Sequence, residues 1–229
     1  MNRIDRETAR RTDQIAIHDY GMTASLLMEN AGRGCAEFIE RHGFRQVLVL
    51  CGKGNNAGDG FVIARQLAIA GIPSETLIFA QPDSFKGAAA IQLEILQSLS
   101  LVHRYINDER TLDRYQQASE TPPDCIVDCL LGTGGQGNPR PMFATAISWV
   151  HTQPAVRIAI DIPTGLDCNS GEPGQPTFKA DHTLTMVAEK TGFTNPSAIP
   201  YLGQVHVIHI GIPPQVILKA MAEKRPETM

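Results

Sequence analysis

A buried parallel strand is the structure that this sequence specifies most tightly. Residues Val47–Cys51 form an unbroken apolar run, typical of a strand covered on both faces of a parallel sheet. The glycine-rich stretch 52–60 follows at once, and apolar residues then recur at helical spacing from Phe61 to Ala68. This order predicts a strand, a tight turn and a helix whose first turn Asp59 caps. Such a turn directs backbone N–H groups and a helix dipole at an anionic group.

The same alternation of strand and helix continues along the chain. After the first strand and its helix, further strands are predicted at 76–80, 102–105, 125–130, 156–160, 182–187 and 205–210, and helices at 84–99, 110–119 and 142–152. The pattern predicts an α/β fold, a Rossmann-like three-layer αβα sandwich with a mostly parallel central sheet. We expect residues 1–229 to form a single domain, in which the N-terminal helices of residues 1–43 pack on the Rossmann-like core.

Composition argues against several kinds of partner. The chain has 20 Lys and Arg against 24 Asp and Glu, a net charge of −4, whereas a nucleic-acid surface needs clustered cations. No run is long and apolar enough to span a membrane, and the N-terminus lacks the apolar core of a signal peptide. The five cysteines lie mostly in apolar segments, which predicts reduced, buried thiols in a cytoplasmic protein and no zinc site.

Two common nucleotide motifs fit the first turn poorly. GxGxxG matches only as Gly52, Gly54 and Ala57, and no acidic residue ends the second predicted strand, as a redox dinucleotide site would require. A GxxxxGK[ST] phosphate loop is absent, because Lys53 precedes the turn instead of closing it. A bare glycine cluster could serve backbone geometry alone. The three polar residues Asn55, Asn56 and Asp59 favour recognition instead.

Polar residues also follow two other predicted strands. Asp128 and the run Gly132–Gly135 follow the fourth strand, and Asp161, Pro163 and Thr164 follow the fifth. A lone aspartate at a strand end most often caps the next loop. Here the carboxyl ends of parallel strands meet in one crevice, so we expect these residues to lie close together. Oxygen ligands of this kind suit an alkali or alkaline-earth cation, and glycine turns suit a phosphate.

Several segments together resemble one known family. GKGNNAGDG at residues 52–60, VDCLLGTG at 127–134, AIDIPTGLDCNSG at 159–171 and ADHTLTMVAEKTG at 180–192 resemble successive signatures of the YjeF N-terminal domain family, the NAD(P)HX epimerases. LMENAG at 27–32 is also typical of that family, although Glu29 is interpreted as a residue on the polar side of its helix and not as a catalytic group. The likeness covers nearly the whole chain.

The resemblance implies an isomerase, NAD(P)H-hydrate epimerase. It would interconvert the R and S forms of the hydrated cofactors NADHX and NADPHX in the cytoplasm, as a homodimer that supplies a separate dehydratase. Asn56, Asp128 and Thr164 would bind a potassium ion, and Asp161 would be the catalytic residue at the reacting end of the substrate. The substrate would also contact Asn55, Asn56, Ala57, Gly58, Asp59, Gly132, Thr133, Gly134, Gly135, Gln136, Gly137 and Asn138.

The sequence departs from the family pattern at three positions. Ala57 replaces a glycine, which matters if that position needs a positive φ. Thr164 stands where serine is commoner, and Lys53 stands where proline is frequent and could help to hold phosphates. No kinase-like second domain is present, so dehydratase activity is not expected from this chain.

The chemistry implied by the resemblance is inversion at carbon 6 of the nicotinamide ring, by loss and return of water. A carboxylate can move the proton and stabilise the iminium-like state, and we assign this role to Asp161. Lys190 is the weaker candidate, because a lysine after a strand is most often solvated. Two alternatives stay open: a non-catalytic protein- or nucleotide-binding scaffold on the same fold, and an NAD-dependent oxidoreductase.

Overall fold

The computed structural model describes residues 3–118 and 121–223 and contains one seven-stranded sheet. The strands are β1 Val47–Cys51, β2 Ser74–Ile78, β3 His103–Tyr105, β4 Cys125–Cys129, β5 Val156–Ile160, β6 His182–Met186 and β7 Gln204–Ile208. The α-helices are α1 Arg6–His18, α2 Ala24–Arg41, α3 Asn55–Ile69, α4 Gly87–Ser98, α5 Glu109–Ala118, α6 Pro141–Val150, α7 Ile199–Leu202 and α8 Pro214–Ala222. None of the described helices is long and apolar enough to cross a membrane.

All seven strands are parallel, in the order β3-β2-β1-β4-β5-β6-β7. The predicted α/β fold is therefore confirmed, with a sheet that is wholly and not mostly parallel. The strand order reverses at β1, which pairs with β2 on one side and β4 on the other. In open parallel sheets a ligand crevice lies at such a reversal, outside the carboxyl ends of the strands.

Helices cover the sheet on both faces. On one face α2, α3, α4 and α8 pack over inward side chains of the strands, including Val49, Cys51 and Val127. On the other face α5 and α6 pack over the alternate side chains, including Leu50 and Ile126. This alternation explains why β1 and β4 are apolar at almost every position: both faces of these strands are buried.

The sequence predicted most elements and misplaced some of their ends. β1 and β5 have the predicted bounds, whereas β2 begins two residues earlier than expected. The prediction that Asp59 caps α3 is wrong, because that helix begins at Asn55 and Gly54 occupies the N-cap position. Helix α8 was not predicted. The predicted end of the fifth helix at Ser119 lies outside the described residues.

Helices α2 and α3 approach each other unusually closely. A Cβ atom on Gly32 would come within 2.9 Å of the Asp59 carbonyl oxygen and still closer to the side chain of Val62. Beside this contact, Glu29 of α2 accepts hydrogen bonds from Arg65 and Gln66 of α3. Glu29 is thus half-buried and ties two helices together, where the sequence suggested an exposed polar face.

Gly32→Ala should destabilise the protein. The new methyl group meets the Val62 Cβ and a backbone oxygen. Because neither atom can move aside as the end of a flexible side chain can, we expect the free energy of unfolding to fall by about 1–3 kcal/mol. Gly34→Ala on the same helix is the matched control, because its methyl group would meet only Ile208 Cγ2. Both variants gain the same helix propensity, about 1 kcal/mol, so the difference between them reports the additional contacts at Gly32 with Val62 and the Asp59 carbonyl. Urea denaturation of both variants measures the difference, and equal losses would contradict this account.

Candidate active site

Four elements place their polar residues around the crevice at the strand reversal. The first turn of α3 carries Asn55 and Asn56, β4 carries Asp128, and the loop after β4 continues to Asn138. Asp161 and Thr164 follow β5, the neighbour of β4. Residues far apart in sequence therefore meet because β1, β4 and β5 lie side by side in the sheet.

Asp128 is a fully buried carboxylate that is held by hydrogen bonds. Its Oδ2 accepts from the Thr164 N–H at 2.8 Å, and its Oδ1 accepts from the Thr164 hydroxyl at 2.8 Å and from the Leu130 N–H at 3.1 Å. Burial raises the pKa of Asp128 to about 6, although these hydrogen bonds lower it. No Lys or Arg within residues 3–118 or 121–223 forms a salt bridge with this carboxylate, so its ionised form lacks a partner charge.

Asn56 lies next to this group. Its Nδ2 donates to the Leu131 carbonyl at 3.0 Å, and the same carbonyl lies 3.5 Å from the Thr164 hydroxyl oxygen. The Asn56 Oδ1 is buried and has no hydrogen-bond partner among the described residues. A buried, unpartnered amide oxygen beside an uncompensated carboxylate and a hydroxyl is a set of hard oxygen ligands, which fits a potassium ion.

Asp161 occupies an unfavourable backbone conformation. Its φ is +67°, a region that residues with a side chain seldom adopt, and Val187 nearby in the next loop has a φ of +70°. Such conformations persist only where the surrounding structure enforces them, and they concentrate at functional sites. The Asp161 Oδ2 accepts the Thr133 N–H at 3.1 Å, which joins the loop after β4 to the loop after β5.

Lys190 forms an ion pair with Asp161. Its Nζ lies 2.8 Å from Asp161 Oδ1, 2.9 Å from the Met186 carbonyl oxygen and 3.3 Å from the Ala188 carbonyl oxygen. Lys190 is only 1% exposed, so the expectation of a solvated lysine is wrong. Its three acceptors use all three ammonium protons, which identifies Lys190 as a fixed positive charge for Asp161.

The negative charge of Asp161 contributes to raised pKa values at two further carboxyl groups. Burial, and then the negative charges of Asp161 and Asp13, raise the pKa of Asp59 well above its ordinary value. Desolvation and the charge of Asp161 raise the pKa of Asp13 to about 6, against the lowering effect of Lys190. Asp13 lies on α1 and is reached by solvent. The charge of Asp161 therefore acts on one carboxyl group of α1 and one of α3, in addition to its ion pair with Lys190.

The other residues of the turn after β1 contribute to the site mainly through their backbone atoms. Ala57 and Gly58 are buried, and a Cβ on Gly58 would contact Met28 and Ala89, which belong to the helices beside α3. Ala57 lies within helix α3 and has no positive φ, so an alanine fits where the family has glycine. Asn55 and Lys53 are exposed at the rim of the turn.

The loop after β4 lies against the same cleft. A Cβ on Gly132 would come within 3.2 Å of Asp161 Oδ2 and 3.4 Å of Asn56 Cβ, so glycine lets this backbone approach both residues. The Gly135 N–H donates to the Gly132 carbonyl, which closes a turn, and Gly137 has a φ of +67°. Asn138 is farther along, where its Oδ1 accepts the Gln175 N–H. Gly134 and Gln136 are exposed.

Sequence reasoning missed the contribution of α1 to this site. The charge of Asp161 helps to raise the pKa of Asp13, and Arg6 donates hydrogen bonds to the Thr133 and Gly135 carbonyls. The only signal in the sequence was an amphipathic helical pattern, because polar residues that face a cleft and polar residues that face water look alike.

Known proteins resemble this chain over most of its length. The family model described as YjeF-related protein N-terminus matches residues 24–192. A Rhodopirellula baltica protein named NAD(P)H-hydrate epimerase is 42% identical, over 91% of this chain and 84% of that protein. A Pirellula staleyi protein of the same name is 39% identical, over 91% of this chain and 92% of that protein.

Two other comparisons extend this likeness. A Salinibacter ruber protein named bifunctional NAD(P)H-hydrate repair enzyme Nnr is 37% identical over 93% of this chain, which spans 41% of that protein. The crystal structure of the yeast protein YNL200c shares the fold, with a TM-score of 0.74 and 21% identity over 90% of this chain and 87% of that one. From the family model and these relatives, the chain belongs to the family of YjeF-related proteins, within the part of the family that this N-terminal model describes.

Proposed function

We propose that this protein is an NAD(P)H-hydrate epimerase, an isomerase that interconverts the R and S forms of NADHX and NADPHX. Relatives of that name match the chain over nearly all of its length. The observation that carries the chemistry is the ion pair at the carboxyl end of β5, where the Nζ of buried Lys190 lies 2.8 Å from Asp161 Oδ1. In the proposed site, the turn Asn55–Asp59 and the loop Gly132–Asn138 bind the substrate.

The reaction requires that the carbon 6 hydroxyl leave and that water return to the other face of the ring. As the C–O bond breaks, the hydroxyl takes up a proton and leaves as water, while the lone pair of the ring nitrogen forms an iminium. The returning water forms the new C–O bond and gives up a proton, so the overall proton balance is zero. Asp161, next to the fixed charge of Lys190, is the catalytic residue that stabilises the iminium and accepts this proton.

The neighbouring carboxyl groups can supply the proton for the departing hydroxyl. The pKa of Asp59 is raised well above its ordinary value by burial and by Asp161, and that of Asp13 is raised to about 6. A carboxyl group with such a raised pKa is suited to act as the acid beside a carboxylate that acts as the base.

Potassium is the proposed cofactor. Asn56, Asp128 and Thr164 would hold it, since they supply an unpartnered amide oxygen, an uncompensated carboxylate and a hydroxyl. When bound, the ion supplies a positive charge that organises the loops after β4 and β5. The residues of this chain carry the proton transfers.

The relatives support one part of the proposed setting, the coupling to a dehydratase. The bifunctional repair enzymes suggest that this epimerase works with an NAD(P)HX dehydratase, which we place on a separate chain. We further propose that the protein is cytoplasmic, consists of a single domain and forms a homodimer. The oxidoreductase alternative has little support, because β2 continues into Phe79, Ala80 and Gln81 without an acidic residue.

Asp161→Asn should abolish epimerisation. The amide keeps the shape of the side chain but cannot accept a proton, so we expect kcat to fall by about 10²-fold or more. The assay mixes an NADPHX epimer mixture with a dehydratase specific for the S form in potassium buffer and follows recovery of NADPH absorbance. Asp113→Asn, at an exposed position on α5, is the control. Unchanged turnover in a folded Asp161→Asn protein would refute the assignment, and wild-type consumption of R at the spontaneous rate would refute the function.

Potassium should raise the midpoint of thermal unfolding, and the rise should depend on Asn56. At a potassium concentration of 100 times Kd, we expect about 2.7 kcal/mol of stabilisation, which corresponds to about 5–10 °C. Asn56→Ala removes the unpartnered oxygen and should lose this rise. The measurement compares potassium with tetramethylammonium chloride at equal ionic strength, with Asn107→Ala at an exposed loop position as the control. An undiminished rise in Asn56→Ala would show that the ion binds elsewhere.

Asp13 should make the folded protein less stable as the pH rises. Its pKa in the folded protein, about 6, lies above the ordinary 3.8, so folding favours the protonated form. The wild type should therefore lose stability relative to Asp13→Asn between pH 4 and about pH 6.5, and the difference should be constant above that range. Thermal midpoints measured from pH 4 to pH 8 report this change, with Asp113→Asn as the control. Parallel curves for the wild type and Asp13→Asn would contradict the shift.

A further inference from the structure

Arg6, the first residue of α1, makes three side-chain contacts with the loops of the site. Its Nε donates to the Thr133 carbonyl oxygen at 2.6 Å, and its Nη2 donates to the Gly135 carbonyl oxygen at 3.1 Å. The same Nη2 lies 2.8 Å from Asp167 Oδ2. One guanidinium group therefore joins the loop after β4 to the loop after β5.

Arg6 is itself held in place. Its backbone N–H donates to the Asn169 Oδ1 at 2.9 Å, and its side chain is only 22% exposed. Desolvation would raise the pKa of Asp167, but hydrogen bonds from the Ser170 N–H, Arg6 and the Asn169 N–H lower it to about 2. Asp167 is therefore ionised at neutral pH and balances the charge of Arg6, which leaves the guanidinium to act by geometry more than by net charge.

These contacts set the direction of two peptide groups. In a trans peptide the C=O and N–H bonds point in opposite directions. Because the Thr133 and Gly135 carbonyls both point at Arg6, the N–H groups of Gly134 and Gln136 both point away from it. Neither of these N–H groups donates to another residue within 3–118 or 121–223. The Thr133 N–H donates to Asp161, so the loop is fixed on both sides.

We propose that Arg6 is a positioning residue that turns the N–H groups of Gly134 and Gln136 toward an anionic oxygen of the substrate, namely the diphosphate of the dinucleotide. The inference rests on the proposed function for the identity of that substrate. Two peptide N–H groups of one glycine-rich turn that both point away from Arg6 are the kind of donor pair that binds phosphate oxygens. Arg6 precedes residue 24, where the match to the family model begins, so α1 would add a working part to the site.

The test separates binding from catalysis. ADP-ribose contains the diphosphate but no nicotinamide, so its binding, measured by titration calorimetry, does not depend on epimerisation. We expect Arg6→Met to weaken ADP-ribose binding and to raise KM for NADPHX by about 10-fold or more, while kcat changes by less than about 3-fold because Lys190 still holds Asp161. Adenosine, which has no phosphate, should bind both proteins equally. Arg10→Met, at an exposed position on the same helix, should match the wild type.

Arg6→Lys distinguishes geometry from charge. A lysine keeps the positive charge but cannot reproduce the planar fork, so it should show most of the loss seen with Arg6→Met. The proposal is overturned if Arg6→Lys binds ADP-ribose like the wild type. It is also overturned if Arg6→Met lowers only the thermal midpoint and leaves both Kd and KM unchanged, or if the wild type epimerises NADPHX without binding ADP-ribose. Failure of the proposed function would appear differently, as ADP-ribose binding without epimerisation by the wild type.

Discussion

Negative charge in a confined space is the constraint on which the functional region depends. Asp128 is fully buried without a side-chain cation among the described residues, and Asp161 is paired with the ammonium group of Lys190. Burial and the charge of Asp161 raise the pKa values of Asp13 and Asp59. Ionised carboxylates in such surroundings are costly unless hydrogen bonds or cations compensate them. Three hydrogen bonds compensate Asp128 in part, and Lys190 compensates Asp161. This distribution of charge supports the proposed potassium ion near Asp128 and the proposed iminium-like intermediate near Asp161.

The backbone supplies partial positive charge, in contrast to the negative charge of the carboxylates. Because β1 lies at the strand reversal, its turn brings the N-terminus of α3 into the crevice, and the loop after β4 lies opposite. Peptide N–H groups in these two segments provide partial positive charge without side chains, so they can approach an anionic ligand closely. The glycines serve that approach: a Cβ at Gly132 would come within 3.2 Å of Asp161 and 3.4 Å of Asn56. The cleft thus combines N–H donors with carboxylates, and the proposed substrate would need both, for its diphosphate and for its iminium-like ring.

Sequence reasoning worked where one residue pattern has one structural meaning. The apolar run at 47–51 and the segment 156–160, which is apolar except for Arg157, give strands with the predicted bounds, because a short apolar segment between turn residues is stable mainly as a buried parallel strand. Sequence reasoning failed where the position of a residue depends on a partner that is distant in sequence. Asp59 resembles a helix cap, yet the helix begins four residues earlier, at Asn55, with Gly54 at the N-cap position. Lys190 resembles a solvated lysine, and only the folded chain shows the Met186, Ala188 and Asp161 oxygens around its ammonium group. For Arg6 and Asp13, the neighbouring sequence gives no sign that these residues lie near the site.

The long-range character of these contacts affects how the signature segments should be interpreted. Ile4 pairs with Lys190 in a β-bridge, the Ile4 N–H donates to the Glu189 carbonyl, and the Thr191 N–H donates to the Ile4 carbonyl. The segment that fixes the buried ammonium is therefore held by the first described residues of the chain, more than 180 positions away. Arg6, two residues later, holds the loop that contacts Asp161 from the other side. A related chain could keep the GNNAGDG turn and every aspartate of the cleft and still lose the geometry, if its N-terminal segment did not return to this place. In this fold, the aspartates determine which ligand charges the cleft favours. The pairing of the N-terminal segment with the loop after β6 determines whether the Lys190 ammonium group and Asp161 are held in position.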